Sequence, residues 1–402
     1  MKDKINIIQF MPYFPPHKGG LETHWEQWGK YWVKNGFWKV YNVVTSFEQE
    51  IPLSISSQER EVEQIIYLDE VIWYKIDGVE ILVCPSVEII SNFPVYKFWS
   101  KEYKIIIRYL EEKNIDIIIT RTRFFLTSFL WWLFARKNKI KWIHIEHGSD
   151  YVKLNSKFKN LIAKVYDKLI WKWIFKKADK VIWVSEACKR FIQKEFVNRE
   201  VWVIYRGVDL PGIIDEWALK NKFWGKIIIW FVWRLFKWKN VDTLIKSYYN
   251  LDKDLKNKIQ IVIVGEWEDF DRLNELDLDK EIYFTWWKSF EEALELQNEF
   301  DIHFHTSSPG WWLATTLLQA MSLWKFIIST PYEWADEVIV DWKNGILLKD
   351  DSLEELKRWL EKWLILFEDK KKEFEIENKK IFKEKFDWDK NILKYYKLFN
   401  EE

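Results

Sequence analysis

Glycine is scarce in this chain. There are 12 in 402 residues, where an ordinary α/β protein of that length carries about 7%, or roughly 28. Cysteine is scarcer still. Cys84 and Cys188 lie far apart with no metal-type spacing, which excludes a disulfide scaffold and a cysteine metal site and points to a reducing cytosol. Net charge is absent, with 62 basic residues against 62 acidic ones. That argues against bulk nucleic-acid binding but leaves room for local basic patches. No run reaches the roughly 18 apolar residues that span a bilayer. The longest, FFLTSFLWWLFA at 124–135, is too short, though a peripheral membrane contact stays open. The N-terminus MKDKINIIQF reads as a strand rather than a signal peptide.

What is present in excess is tryptophan, at 29, and it falls where a backbone asks for glycine. Trp267 follows the strand-like IVIVG. Trp233 and Trp238 flank a basic loop in FVWRLFKWKN. Trp324 ends a helical stretch before KFIIST, and Trp342 sits in the turn DWKNG. Such places favour positive φ or close backbone approach, which a bulky side chain resists. The expectation is that many of these tryptophans are glycines, encoded by UGA in an organism that reads UGA as glycine. The competing reading is a real tryptophan-rich surface that stacks on sugars. Trp142 and Trp388 read as genuine, one in a strand pattern and one in a helical pattern with no turn.

Short β-branched runs alternate with amphipathic stretches such as KFKNLIAKVYDKLI nearly from end to end. KINIIQF (4–10), KVYNVV (39–44), VEILVC (79–84), IDIIIT (115–120), IKWIHI (140–145), KVIWVS (180–185) and VWVIY (201–205) form one series. KIIIWFV (226–232), KIQIVIVG, EIYFTW, DIHFHTS, KFIIST and GILLK form another. Near-continuous apolar strands separated by helices predict parallel sheets covered on both faces. Two series predict an α/β chain of two doubly wound domains, 1–205 and 206–402, with the last helix free to return to the first domain. Ligands of such sheets bind outside the carboxyl ends of the strands, and the cleft between two such domains is the expected site.

The loops at those ends carry the candidates. Gly19 and Gly20 precede a helix starting near Leu21, a place where backbone can approach a phosphate. Arg234 and Lys239, five apart after KIIIWFV, supply two cations suited to a diphosphate leaving group. In HTSSPGWWLATTLLQAM, a turn at Pro309 and Gly310 leads past Trp311 and Trp312 into a helix by about Thr315. Thr315 and Thr316 either cap that helix or bind a ligand. His147, at a strand end in HIEHGSDY, is a better candidate than His144 inside the strand. His303 and His305 share one strand face but lack a third ligand, so they read as structural rather than metal-binding.

In this order, these pieces resemble the retaining GT-B glycosyltransferases of glycosyltransferase family 4. Gly19, Gly20, Leu21 and Glu22 look like its opening Gly-Gly-x-Glu. His147 looks like its mid-domain histidine, ADKVIWVSEACKRF like its serine segment, and VIYRGVDL like its hinge. VWRLFKWKNVDTLI, VGEW, AMSLWKFII and EVIVDWKNG look like four further motifs, with family glycines at Trp233, Trp267, Trp324 and Trp342. The resemblance implies a cytoplasmic enzyme, in contact with the inner face of a membrane or free of it. It would move a hexosyl unit from a nucleotide sugar to a saccharide or lipid-linked acceptor in polysaccharide or cell-envelope synthesis, with retention and no metal. It implies Arg234, Lys239 and His147 as catalytic residues. Gly19, Gly20, Gly310, Trp311, Trp312, Thr315 and Gln319 would bind the donor. One departure matters: the family's Glu-x7-Glu pair falls on Trp311 and Gln319, neither a carboxylate. Two other readings therefore stand beside the enzyme. One is a nucleotide-sugar-binding protein of weak activity, the other a tryptophan-rich carbohydrate binder.

Overall fold

The computed structural model describes residues 4–14, 20–46, 64–68, 71–90, 93–123, 125–151, 157–196, 201–208, 218–232, 235–265, 269–285, 292, 296–307, 314–332 and 334–401. The chain divides into two compact units, Met1–Gly207 with Trp388–Glu402, and Val208–Asp387.

The first unit is built on β1 (Ile7–Met11), β2 (Val40–Thr45), β3 (Gln64–Leu68), β4 (Val71–Ile76), β5 (Val79–Cys84), β6 (Ser86–Ile90), β7 (Phe93–Tyr96), β8 (Ile117–Arg121), β9 (Lys141–Glu146), β10 (Lys180–Trp183) and β11 (Trp202–Val203). Nine of them form one sheet in the order β11-β10-β9-β8-β1-β2-β5-β4-β3. Every residue of β1, β2 and β8 is buried, as a parallel strand covered on both faces requires. Polar side chains inside those strands pair with one another, as Gln9 Nε2 does by donating to Asn42 Oδ1 at 3.1 Å. The sheet is parallel except at its β3–β4 edge. There β4 runs antiparallel to both neighbours, a departure from the all-parallel expectation. Its β4–β5 half follows from the Asp77–Gly78 turn, with φ of 50° and 75°, the conformation that joins a two-residue hairpin. A β6–β7 hairpin stands apart from this sheet.

Within the run 124–135 the helix Leu126–Lys137 begins at Leu126, and its Trp131 and Trp132 are buried. The last helix, Trp388–Asn400, packs against Gly20–Lys34: Trp388 Nε1 donates to Gln27 Oε1 at 2.9 Å. Gly207 lies against the Trp388 ring so closely that a Cβ there would collide with it. Cys84 and Cys188 are buried and form no disulfide.

The second unit carries β12 (Ile227–Val232), β13 (Ile259–Val264), β14 (Tyr283–Thr285), β15 (Ile302–His305), β16 (Phe326–Ser329) and β17 (Ile346–Leu347), all parallel, in the order β14-β13-β12-β15-β16-β17. Relabelled from its first strand this is 3-2-1-4-5-6, the doubly wound order. Ile229, Ile261, Ile263, Phe304 and Ile328 pack on one face against Leu244, Leu356 and Phe374 of the helices Val241–Tyr249 and Leu353–Ile381. Trp230, Val262 and Phe300 form a smaller cluster. The long helix starts where Ser352 Oγ accepts from the amide of Glu355 at 3.3 Å, a side-chain N-cap. No helix among the described residues is long and apolar enough to cross a membrane.

Among the described residues four tryptophans adopt positive φ: Trp38 (117°), Trp324 (59°), Trp334 (59°) and Trp342 (63°). Trp324 closes the helix Thr315–Ser322. Its amide bonds the carbonyl of Met321 and that of Lys325 the carbonyl of Ala320, each at 3.0 Å. That pattern places a left-handed residue just past the helix end, where glycine is usual.

Candidate functional site

In each unit the strand order reverses beside the first strand, between β1 and β8 and between β12 and β15. The crevice at such a reversal is the ligand site of an open α/β sheet.

In the second unit, β12 leads through Leu235 and Phe236 into one 3-10 turn, Lys237–Lys239, and then the helix Val241–Tyr249. Asn240 links the two at φ 56°. This tight passage turns Lys239 inward, leaving it 1% exposed. Its Nζ donates to Ser307 Oγ at 3.1 Å, and Thr306 Oγ1 donates to its carbonyl at 2.7 Å. Thr306 and Ser307 follow β15, so Lys239 bridges the two strands of the switch point. Thr330, after β16, donates from Oγ1 to the Ser307 carbonyl at 2.6 Å. Among the described residues, the hydroxyls of Thr306, Ser307 and Thr330 thus gather at this end of the sheet, with Ser307 on the Lys239 ammonium. All eight residues of the helix Thr315–Ser322 are buried. Its N-cap residue Ala314 makes no side-chain cap, and among the described residues Thr316 Oγ1 is buried without a hydrogen-bond partner. Gln319 lies one turn further on, 5% exposed. His303, fully buried, is kept neutral by burial first, then by His305 and Lys239. Among the described residues no three His, Cys, Asp or Glu side chains gather as a metal set.

The first unit brings charge to its switch point. Glu146, at the end of β9, accepts from the amides of His147 (2.9 Å) and Gly148 (2.7 Å) through Oε1, and from the Arg123 amide (3.0 Å) through Oε2. The Arg123 guanidinium lies 3.2 Å from Glu146 and 3.2 Å from Asp167. Burial works to raise the Glu146 pKa. Arg123, His144 and the Gly148 amide outweigh it and hold the carboxyl at about 2. Asp167, where burial prevails over Arg123, rises to about 6.

This ionic frame fixes the backbone that carries His147. The His147 ring, 5% exposed, meets the His24 ring edge to face at 4.9 Å, and its Nε2 has no hydrogen-bond partner. Burial, reinforced by Arg121, keeps His147 well below the usual histidine pKa, so the imidazole is neutral at pH 7. Arg121 itself, held by Gln9 Oε1 at 3.2 Å, is lowered to about 9 by burial. Arg206, also buried, is lowered to about 10.

Of the residues marked in the sequence, Lys239, Thr315 and Gln319 lie in the second unit, and His147 and Gly20 in the first, Gly20 as the first residue of its helix. Gly19, Trp233, Arg234, Trp267, Gly310, Trp311 and Trp312 lie outside the described residues. Sequence reading missed Ser307, Glu146, Arg121, Arg123 and His24. The pair of arginines in ITRTRFF, just at a strand end, was the visible signal. A cavity of about 350 Å³ lined by Phe223, Gln260 and Tyr283 sits at the amino ends of β12–β14, the wrong end of the sheet for this site.

Residues 18–211 match the family described as Glycosyltransferase Family 4, and residues 215–392 that described as Glycosyl transferases group 1. The chain is 41% identical to an uncharacterized glycosyltransferase of Methanocaldococcus jannaschii, across 98% of each protein. Among solved structures it is similar to a glycosyltransferase from Rickettsia africae, at 18% identity and a TM-score of 0.74, covering 99% of this chain and 98% of that one. It is also similar to HepE of Anabaena, crystallised with UDP and glucose. There the identity is 15% and the TM-score 0.71, over 98% of this chain and 99% of that one. At such identities the two structures speak to the fold.

Proposed function

This chain belongs to the GT-B glycosyltransferases, with a Glycosyltransferase Family 4 segment followed by a group 1 segment, and on that premise we propose that it moves a hexosyl unit from a nucleotide-diphosphate sugar to a saccharide or lipid-linked acceptor with retention of configuration. The observation that carries this reading is Lys239, an ammonium 1% exposed at the switch point of a 3-2-1-4-5-6 sheet, bonded to Ser307 Oγ while the Thr306 hydroxyl holds its carbonyl. A buried cation gains most from an anion of matching charge, and a departing diphosphate is such an anion. The UDP and glucose bound by HepE support a nucleotide-sugar donor.

In the proposed reaction, Arg234 and Lys239 stabilise the diphosphate as the glycosidic C–O bond breaks. The amides at Gly19 and Gly20 and those from Gly310 through Trp311 and Trp312 to Thr315 hydrogen-bond its oxygens. Gln319 meets the ribose hydroxyls. His147, neutral and with Nε2 unclaimed, hydrogen-bonds a hydroxyl of the transferred sugar. Charge stabilisation comes from side chains and amides, so no metal is called for.

The tryptophans enter this proposal directly. We read Trp233, Trp267, Trp311, Trp312, Trp324 and Trp342 as glycines of the native protein. The left-handed φ of Trp324 and Trp342 supports this. A contrast among buried indoles extends the reading beyond these six. Trp142 and Trp388 donate to Thr120 and Gln27 at 2.8 and 2.9 Å. Trp25, Trp28, Trp32, Trp183 and Trp230 are buried with Nε1 unpartnered, at about 1–3 kcal/mol each.

The test is turnover of a panel of nucleotide sugars, read as donor hydrolysis and transfer. Lys239→Ala is expected to lower it about 10²–10³-fold while the unfolding midpoint holds. Near wild-type turnover in both Lys239→Ala and Arg234→Ala removes the diphosphate role. The missing carboxylate at 319 favours one second reading, nucleotide-sugar binding without transfer. Calorimetric UDP binding with no turnover of any donor would select it.

A further inference from the structure

The chain is neutral as a whole, yet residues 157–177 hold seven lysines (Lys157, Lys159, Lys164, Lys168, Lys172, Lys176 and Lys177) and one acid, Asp167. Asp167 is 2% exposed and paired with Arg123, so it does not offset that charge at the surface. The segment is helical throughout, as Lys157–Tyr166, a π turn Asp167–Trp171, and Lys172–Lys177.

Most of its large apolar residues fall into two sets, with Ile170 half-buried and Trp173 exposed outside them. Trp171, Ile174 and Phe175 are buried. Phe158, Leu161, Ile162, Val165 and Leu169 face solvent, exposed by 70, 59, 52, 47 and 70%. Their spacing, i, i+3, i+4, i+7 and i+11, makes one continuous stripe along the helix. Lys164, Lys168, Lys172 and Lys176 recur every four residues beside it, all exposed. Glu195 lies 3.8 Å from Lys168 and offsets one of these charges. None of the five exposed residues is a tryptophan, so the stripe is the same whichever way the tryptophans are read.

A soluble surface helix turns its apolar stripe inward, and a contiguous exposed apolar patch marks an interaction site. The lysine border decides the partner. In an antiparallel two-fold contact with a second copy, one lysine row would meet an identical one, and in a parallel one it would meet no acidic partner along the segment. An anionic bilayer satisfies both features, because hydrocarbon receives the stripe while lysines extend to phosphates.

We propose that residues 157–177 dock this protein onto an anionic lipid bilayer, with Phe158, Leu161, Ile162, Val165 and Leu169 in the acyl boundary and the lysine row on the headgroup phosphates. The test is co-sedimentation of the full chain with phosphatidylcholine vesicles, with and without phosphatidylglycerol. Binding is expected only with phosphatidylglycerol and should weaken in high salt. Lys164→Gln, Lys168→Gln and Lys172→Gln together should weaken it about a hundredfold, at roughly fivefold per lysine. Leu161→Asp with Leu169→Asp should weaken it at least as much. Each change is at an exposed position, so circular dichroism and the unfolding midpoint should match wild type and separate lost docking from lost fold. Wild-type chain that ignores both vesicle types overturns the proposal. So does binding that survives both sets of substitutions, or a dimer in solution that Leu161→Asp with Leu169→Asp dissolves while no vesicle binds.

Discussion

The carboxyl ends of the two sheets are built from different material. In the first unit the strand ends carry buried ions, with Arg123 between Glu146 and Asp167 and Arg121 on Gln9. In the second they carry hydroxyls, with Thr306, Ser307 and Thr330 around Lys239. The ionic frame is internally paired. It has charge of both signs, and its main product is a rigid, neutral His147 whose backbone amide is tied to Glu146. The hydroxyl frame is adaptable, because each hydroxyl can donate or accept and none commits a charge. One end holds a single group still, while the other is suited to receive an anion.

The largest expected effect comes from breaking the ionic frame. Arg123→Ala leaves Glu146 and Asp167 buried without their cation and should destabilise the first unit by about 3–5 kcal/mol. Hydrogen exchange should show β8 and β9 losing protection while β13 and β15 keep theirs. Equal loss in both sheets would mean the two frames are not independently stabilised.

Acid should separate the units next. His24, His144 and His147 in the first unit and His303 in the second have pKa values lowered chiefly by burial. An unfolded histidine takes up a proton below about pH 6.5 and the folded ones do not, so stability is lost as pH falls through that value. Glu146, at about 2 against an ordinary 4.5, adds a second loss between those values. Asp167, at about 6 against 3.8, works the other way and offsets part of the first. Three histidines against one aspartate leave the first unit the more acid-labile. Exchange at pH 5 should therefore open β8 and β9 before β13 and β15, and the reverse order would sink this account.

The smallest expected effect, at Trp324, is set against a large one at Trp142 to sharpen the contrast between borrowed and genuine tryptophans. Trp324→Gly should raise stability by about 1–2 kcal/mol, by releasing a left-handed residue with a Cβ. Trp142→Gly, which removes a packed ring and its bond to Thr120, should lower it by about 3–5 kcal/mol. Thermal unfolding of the two variants checks the signs, and peptide masses from the source organism's protein read the residues directly.

Thirteen strands stood in the sequence as runs rich in apolar residues, most of them buried on both faces, while the edge strands β11, β14 and β17 are short and partly buried. Two parallel sheets and the ends that matter followed from their alternation with helices. Lys239 was legible for the same reason, as a cation just past such a run. The antiparallel β3–β4–β5 edge was not, although Asp77–Gly78 marks the β4–β5 turn, because alternation with helices predicts parallel pairing throughout. The roles of Glu146, Arg123 and Ser307 were invisible for a deeper reason. Glu146 acts on the next two amides but needs Arg123, 23 residues away, and Ser307 meets Lys239 across 68. Linear pattern fixes which face a residue takes. Only packing decides which buried charge meets which, since that depends on distances the chain sets after the sheets have formed.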